Sequence, residues 1–135
     1  LPGDGSVTVR DITGALACLG LWGPHARDIV TRVSEDDWSH AAFPYYTARE
    51  MSVGEVPVLA LRVSYVGELG WELHHPLHLQ RYLYDLLFEA GEDLGIVTHG
   101  PEVSHECTRI YTKGKKFNRP QMTRMRQMKT DLKLF

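Results

Sequence analysis

The densest run of chemistry-bearing residues in this chain is Arg62-Val63-Ser64-Tyr65-Val66-Gly67-Glu68-Leu69-Gly70-Trp71-Glu72-Leu73. Tyr65 ends one expected strand and Glu72 opens the next, with a glycine-bearing connection, Val66 to Gly70, between them. A tight return brings the two side chains to the same rim. An ionised carboxylate accepts two parallel N–H bonds, which suits a planar amidine-like edge such as that of a pteridine or a guanidine. A tyrosine packs against a ring or donates its hydroxyl. The same spacing also fits an ordinary hairpin, with Glu72 facing solvent and Tyr65 in the core. Spacing alone leaves both readings open.

The other reactive types offer less. His74, His75 and His78 cluster, as do His99, His105 and Cys107. The first group straddles a strand end and Pro76, so its three rings are not expected to converge. Neither group has a recognised zinc spacing, and no metal site is expected. Two cysteines are too few for a disulfide scaffold. A Cys18–Cys107 bridge stays open, although two reduced thiols are the expectation. Cys18 lies in the apolar run Ala15-Leu16-Ala17-Cys18-Leu19-Gly20-Leu21 and reads as an inert core thiol. No Ser-His-Asp or Cys-His order stands out.

These residues must be positioned by a small domain. The chain has 135 residues, 43% apolar and 24% charged, which excludes global disorder and collagen-like structure. No apolar run reaches the length of a membrane span, and the first residues do not resemble a signal peptide. The first residue is Leu rather than Met, which points to a piece of a longer protein. A strand is expected within residues 6–22 and a short helix over about 24–33, with Pro24 in its first turn. Ser34-Glu35-Asp36-Asp37 resembles the capped start of a further helical turn. Residues 47–53 and 56–65 read as a hairpin about Gly54-Glu55. Both faces of its second strand are apolar, so burial on both sides is expected. A third strand follows at about 70–75. Residues 77–92 give the clearest helix, from Leu79, Tyr82, Leu83, Leu86, Leu87 and Ala90; Gly91 and Gly95 lie near its end, and Gly91 is the expected terminator of the two. The order predicts an α+β domain with a largely antiparallel sheet and packed helices.

The run Arg-x-Ser-Tyr-Val-Gly-Glu-Leu-Gly-Trp-Glu-Leu resembles the signature of the aminomethyltransferase family, the T-protein of the glycine cleavage system. It is more similar still to the folate-binding portion of dimethylglycine and sarcosine dehydrogenases and oxidases. The resemblance covers about residues 9–100. It includes Asp11-Ile12-Thr13-Gly14, Leu19-Gly20-Leu21-Trp22-Gly23-Pro24, Arg27-Asp28 and Phe43-x-x-x-Thr47-Ala48-Arg49. It implies that Tyr65 and Glu72 line a tetrahydrofolate site, with Glu72 on the pterin edge. Glu68 and Gly70 are implied to shape the turn. In such proteins a flavin domain oxidises an N-methyl amine and tetrahydrofolate captures the one-carbon unit; in T-protein that unit arrives on a lipoyl arm.

The resemblance leaves this chain a partial folate-binding domain over residues 1–108. The family's catalytic aspartate would lie upstream of residue 1, so no catalytic residue is assigned. No dinucleotide fingerprint occurs, so FAD is expected only in a full-length protein, where an amine-oxidising flavin domain is the implied partner. Where the family has Arg-Leu-Glu-Lys-Gly, this chain has Arg109-Ile110-Tyr111-Thr112-Lys113-Gly114. An alternative reading is therefore a non-catalytic regulatory relative, similar to the regulatory subunit of pyruvate dehydrogenase phosphatase.

The remainder, 109–135, departs from the family and differs in charge. It holds 9 of the 15 Lys and Arg residues and one of the 17 acidic residues. A net charge of about −10 on the body and +8 on this tail separates their physical roles. A basic segment can neutralise phosphates, but aromatics for base stacking are sparse. A nucleic-acid partner is not expected, nor is a membrane; a homodimer is left open. The family resemblance implies bacterial cytoplasm or mitochondrial matrix.

Overall fold

The computed structural model describes residues 3–64, 67–99 and 108–112. The elements run β1 (Leu16–Trp22), α1 (Ala26–Arg32), β2 (Ala48–Val53), β3 (Val56–Leu61), β4 (Gly70–Pro76), α2 (Gln80–Gly91), β5 (Ile96–His99) and β6 (Thr108–Thr112). Short 3₁₀ turns, Leu77–Leu79 and Glu92–Leu94, flank α2. The strands form one six-stranded sheet in the order β2-β3-β4-β1-β6-β5. Among the described strands β1 and β6 pair in parallel and every other neighbouring pair is antiparallel. The expected α+β class and largely antiparallel sheet are what the structure has.

One side of the sheet carries the core. Leu19 and Leu21 of β1, Val58 and Ala60 of β3, Trp71 and Leu73 of β4 and Ile110 of β6 are all buried. Against them pack Ala26, Ile29 and Val30 of α1 and Leu83 and Leu87 of α2. Each fully buried aliphatic side chain contributes about 1.5–3 kcal/mol. Trp38 and Phe43, from the segment between α1 and β2, close the core over Trp71. The rings of Trp38 and Trp71 meet edge-to-face at 5.2 Å and 88°, the arrangement that aromatic quadrupoles favour.

Several expectations are corrected. Residues 6–15 are not a strand. β4 runs out at Pro76, opposite Leu16, so the upstream chain has no β4 partner, and Val7 and Val9 are exposed. Ser34 and Asp36 do not begin a helix; they tie the loop to β2. The Ser34 hydroxyl donates to the Ser52 carbonyl at 2.6 Å, and Asp36 Oδ2 accepts the Ser52 N–H at 2.7 Å. β3 is buried on one face only: Val56, Val58 and Ala60 are buried, whereas Pro57 and Leu59 are exposed. Among the described residues no helix covers that second face, and Pro57 and Leu59 are exposed on it. The α-helix ends at Gly91 as expected, but the turn of the chain does not lie there. The chain continues into the 3₁₀ turn, and Gly95, at φ 69°, takes the left-handed position that reverses it. β5 and β6 are additions that the periodicity of the chain does not announce.

His75 is a polar residue on the core side, 1% exposed. Its Nδ1–H donates to the Leu73 carbonyl at 2.8 Å, while its Nε2 has no hydrogen-bond partner among the described residues. Burial is the main cause that pulls this imidazole below its ordinary value, and nearby His74 adds to it; the Leu73 bond opposes the shift. The unfolded chain therefore binds the proton first as pH falls. Stability is retained above the unfolded imidazole value of about 6.5 and is lost progressively below it. Thermal melts between about pH 8 and pH 5 should show this decline, and a His75→Leu variant should flatten it. An identical slope in the variant would show that His75 is not the group responsible.

Candidate functional site

Strand alternation divides the residues of β4 between two environments. Trp71, Leu73 and His75 point into the core, so Glu72 and His74 point to the opposite face. Glu72 lies opposite Gly20 of β1 on one side and Leu61 of β3 on the other. It thus stands near the middle of the outer face, with its side chain 18% exposed. Gly20 has no side chain of its own, and its place beside Glu72 is taken by the ring of Trp22. Glu72 Oε2 lies 3.5 Å from His74 Nε2. Cys18 is directly opposite His74 across the β1–β4 ladder. The ligating atoms of Cys18, Glu72 and His74 all lie within 4.8 Å of one another. Cys18 is therefore not the core thiol expected from its apolar neighbours; it sits half-buried on the outer face.

Two glycines of the quoted motifs have a physical reason here. The Trp22 ring folds back over the outer face, and its Nε1–H donates to the Val63 carbonyl at 3.1 Å. A Cβ at Gly20 would come within 2.0 Å of that ring. A Cβ at Gly70 would come within 2.2 Å of the Leu21 carbonyl oxygen and 2.3 Å of Trp22 Cδ1. The indole is thereby placed on the same face as Glu72, although Trp22 is itself 3% exposed. Next to it, the Tyr45 hydroxyl donates to the Ser64 carbonyl at 3.3 Å.

Of the two site residues expected from sequence, Glu72 is on this face and Tyr65 lies outside the described residues. Glu68 is partly exposed in the connection before β4. His75 and His74 face opposite sides of one strand and His78 is exposed, so that trio does not converge. His105 and Cys107 lie outside the described residues. Sequence reasoning missed the pairing of Cys18 with His74, because the two come together only through strand register.

Behind the face, two arginines of the quoted motifs hold the framework. The guanidinium groups of Arg27 and Arg62 lie 5.7 and 5.9 Å from the centre of the Trp71 ring, within cation–π range. Arg27 Nε donates to the Trp38 carbonyl at 2.9 Å. Arg62 donates to the Phe43 carbonyl and bonds His40 Nδ1. Burial, and then the proximity of Arg27, hold Arg62 below the ordinary guanidinium range; it remains cationic at physiological pH.

A family model for the GCVT N-terminal domain matches residues 1–110. The chain belongs to this family. It is 37% identical over 94 residues to the mitochondrial dimethylglycine dehydrogenase of Rattus norvegicus, covering 70% of this chain and 11% of that protein. It is 40% identical over 95 residues to 4-methylaminobutanoate oxidase (formaldehyde-forming) of Paenarthrobacter nicotinovorans, covering 70% and 12%. It is 33% identical over 96 residues to an aminomethyltransferase of Bacillus licheniformis, covering 71% and 26%. The chain thus spans about a tenth of the length of the dehydrogenases that it matches. Among solved structures it resembles the heterotetrameric sarcosine oxidase from Corynebacterium sp. U-96 in complex with pyrrole 2-carboxylate. The TM-score is 0.62 at 20% identity, over 76% of this chain and 49% of that one, a likeness of fold.

The packing of Trp22 generates a test of this arrangement. Gly70→Ala should destabilise the chain by about 1–3 kcal/mol, the usual cost of forcing atoms into a filled space. Chemical denaturation of that variant beside Gly3→Ala, where an added Cβ meets nothing within 4 Å, should show the loss in the first alone. Equal midpoints would mean that Trp22 does not rest on Gly70.

Proposed function

We propose that this chain carries the pterin-binding face of a folate domain, with Glu72 receiving the N–H edge of tetrahydrofolate and Tyr65 lining the same site. The observation that supports the reading most is the placement of Glu72. It is a half-buried carboxylate in mid-sheet, on a face that carries the Trp22 indole over Gly20 and no covering helix among the described residues. A carboxylate in such a place is partly desolvated, so paired N–H donors are bound more strongly there than in water. The residues offer the group an acceptor pair for the pterin edge. His74, 3.5 Å away, competes for the same carboxylate when cationic.

When bound, tetrahydrofolate supplies the nucleophilic nitrogen that takes up a one-carbon unit. The role of this chain is to bind and orient that ring. In the same reading the unit comes from an N-methyl amine oxidised by the flavin domain of a longer protein, with FAD held there. Residues 109–112 belong to β6, with Ile110 in the core, so the basic appendage to the folate part begins after β6; the setting is mitochondrial matrix or bacterial cytoplasm. Among the described residues no helix is long and apolar enough to cross a membrane.

The test is calorimetric titration of the chain with a reduced folate, beside a Glu72→Gln variant. Removing a paired, charge-assisted contact should weaken binding by about 1.5–3 kcal/mol, roughly ten- to a hundredfold. The melting temperature should change little, because Glu72 is outside the core. A folded wild-type chain that shows no saturable heat would overturn the reading for this chain and favour a non-catalytic, regulatory use of the fold.

A further inference from the structure

We infer that Cys18, Glu72 and His74 form a three-ligand site for a zinc-class divalent cation on the outer face of the sheet. The inference does not rest on folate binding. Its basis is register. Cys18 and His74 are cross-strand partners of β1 and β4, and Glu72 is two residues from His74 on the same strand and face. Directly opposed residues in an antiparallel pair have Cβ atoms about 4.5–5.5 Å apart, so the backbone itself holds a thiol, an imidazole and a carboxylate together. Their ligating atoms lie within 4.8 Å of one another.

The Glu72–His74 distance fits a shared cation better than a simple hydrogen bond. The 3.5 Å between Glu72 Oε2 and His74 Nε2 is long for a hydrogen bond between charged groups, which runs to about 2.9 Å. With metal–ligand bonds of about 2.0–2.1 Å, the N–O edge of a zinc tetrahedron is roughly 3.3 Å, close to the distance observed. His74 Nε2 is a buried atom with no hydrogen-bond partner among the described residues, although the side chain as a whole is 33% exposed. That nitrogen therefore has a lone pair or a proton to place, and the neighbours best set to share a cation with it are the Glu72 carboxylate and the Cys18 sulfur.

The donor set selects the metal class. A thiolate, an imidazole and a carboxylate together suit Zn²⁺; all-oxygen sites suit Mg²⁺ or Ca²⁺. Three protein ligands leave the fourth position to water on the solvent side. The ladder fixes where the three side chains start, so binding needs only side-chain rotations that draw their ligating atoms inward. A cation held there also occupies the carboxylate lone pairs of Glu72, so metal and a pterin edge are alternatives for the same oxygens. No sequence motif announces the site, because 54 positions separate Cys18 from Glu72.

The experiment uses the full chain, reduced and freed of metal by chelator. Co²⁺ is added as the spectroscopic probe and Zn²⁺ in competition with a chromophoric chelator. The expected result is a thiolate-to-cobalt charge-transfer band that Zn²⁺ displaces at one equivalent. Cys18→Ser should abolish the band. His74→Gln and Glu72→Gln should each weaken Zn²⁺ binding by more than roughly tenfold, because even outer-shell partners cost that much. Cys107→Ser should leave band and affinity in place. All three ligand side chains lie outside the core, so the variants should keep the wild-type melting temperature without metal, and that melt is the control for folding. A folded chain with no band, a band that survives Cys18→Ser, or one that disappears in Cys107→Ser overturns the proposal.

Discussion

The burial of Trp71 and Leu73 on one side of β4 is the constraint on which the rest depends. In a strand the side-chain period is two, so a slip of one residue would carry every side chain to the other face. Trp71 makes such a slip costly. Its ring is fully buried, meets Trp38 edge-on and lies under the guanidinium groups of Arg27 and Arg62. Losing a buried tryptophan from a packed core costs about 3–5 kcal/mol, a large share of the stability of a small domain. With Trp71 and Leu73 inside, Glu72 and His74 have only the outer face. The site is thus positioned by hydrophobic packing on its reverse side.

β1 supplies the other half of that frame. Leu19 and Leu21 enter the core beside β4, and the alternate residues Cys18, Gly20 and Trp22 are turned outward. Trp22 then lies down over Gly20 and Gly70, which explains why glycine stands at both positions. Both edges of this central pair are covered by further strands: β3 on β4, and β6 in parallel on β1. Among the described residues no helix covers the outer face.

Much of this was legible from sequence where local signals act alone. The Gly54-Glu55 turn, the strand beginning at Gly70 and the periodic helix after Pro76 all depend on neighbours within a few residues. Where long-range pairing decides, the sequence was less informative. β5 and β6 are 4 and 5 residues long, and each is defined by a partner rather than by its own pattern. The apolar outer face of β3 reads as buried because composition cannot show whether a helix covers it. At the site, Glu72 stands out through its motif, whereas Cys18 reads as core because its neighbours Leu19 and Leu21 are core. Only the register with β4 shows that it faces the other way.

That register also determines what the carboxylate can do. An isolated Glu72 on a solvated strand would be one acidic side chain among many. Between the Trp22 ring over Gly20 and Leu61 it is partly withdrawn from water, which strengthens any paired donor that reaches it. With His74 two residues on and Cys18 across the ladder, the same oxygens gain a nitrogen and a sulfur as neighbours, the combination that a borderline-soft cation prefers. A planar N–H edge and a metal ion make opposite demands on those neighbours. The first needs His74 and Cys18 to stand aside, and the second needs both to turn inward. The backbone allows either, because all three side chains spring from adjacent positions on two strands whose spacing is fixed by the core behind them.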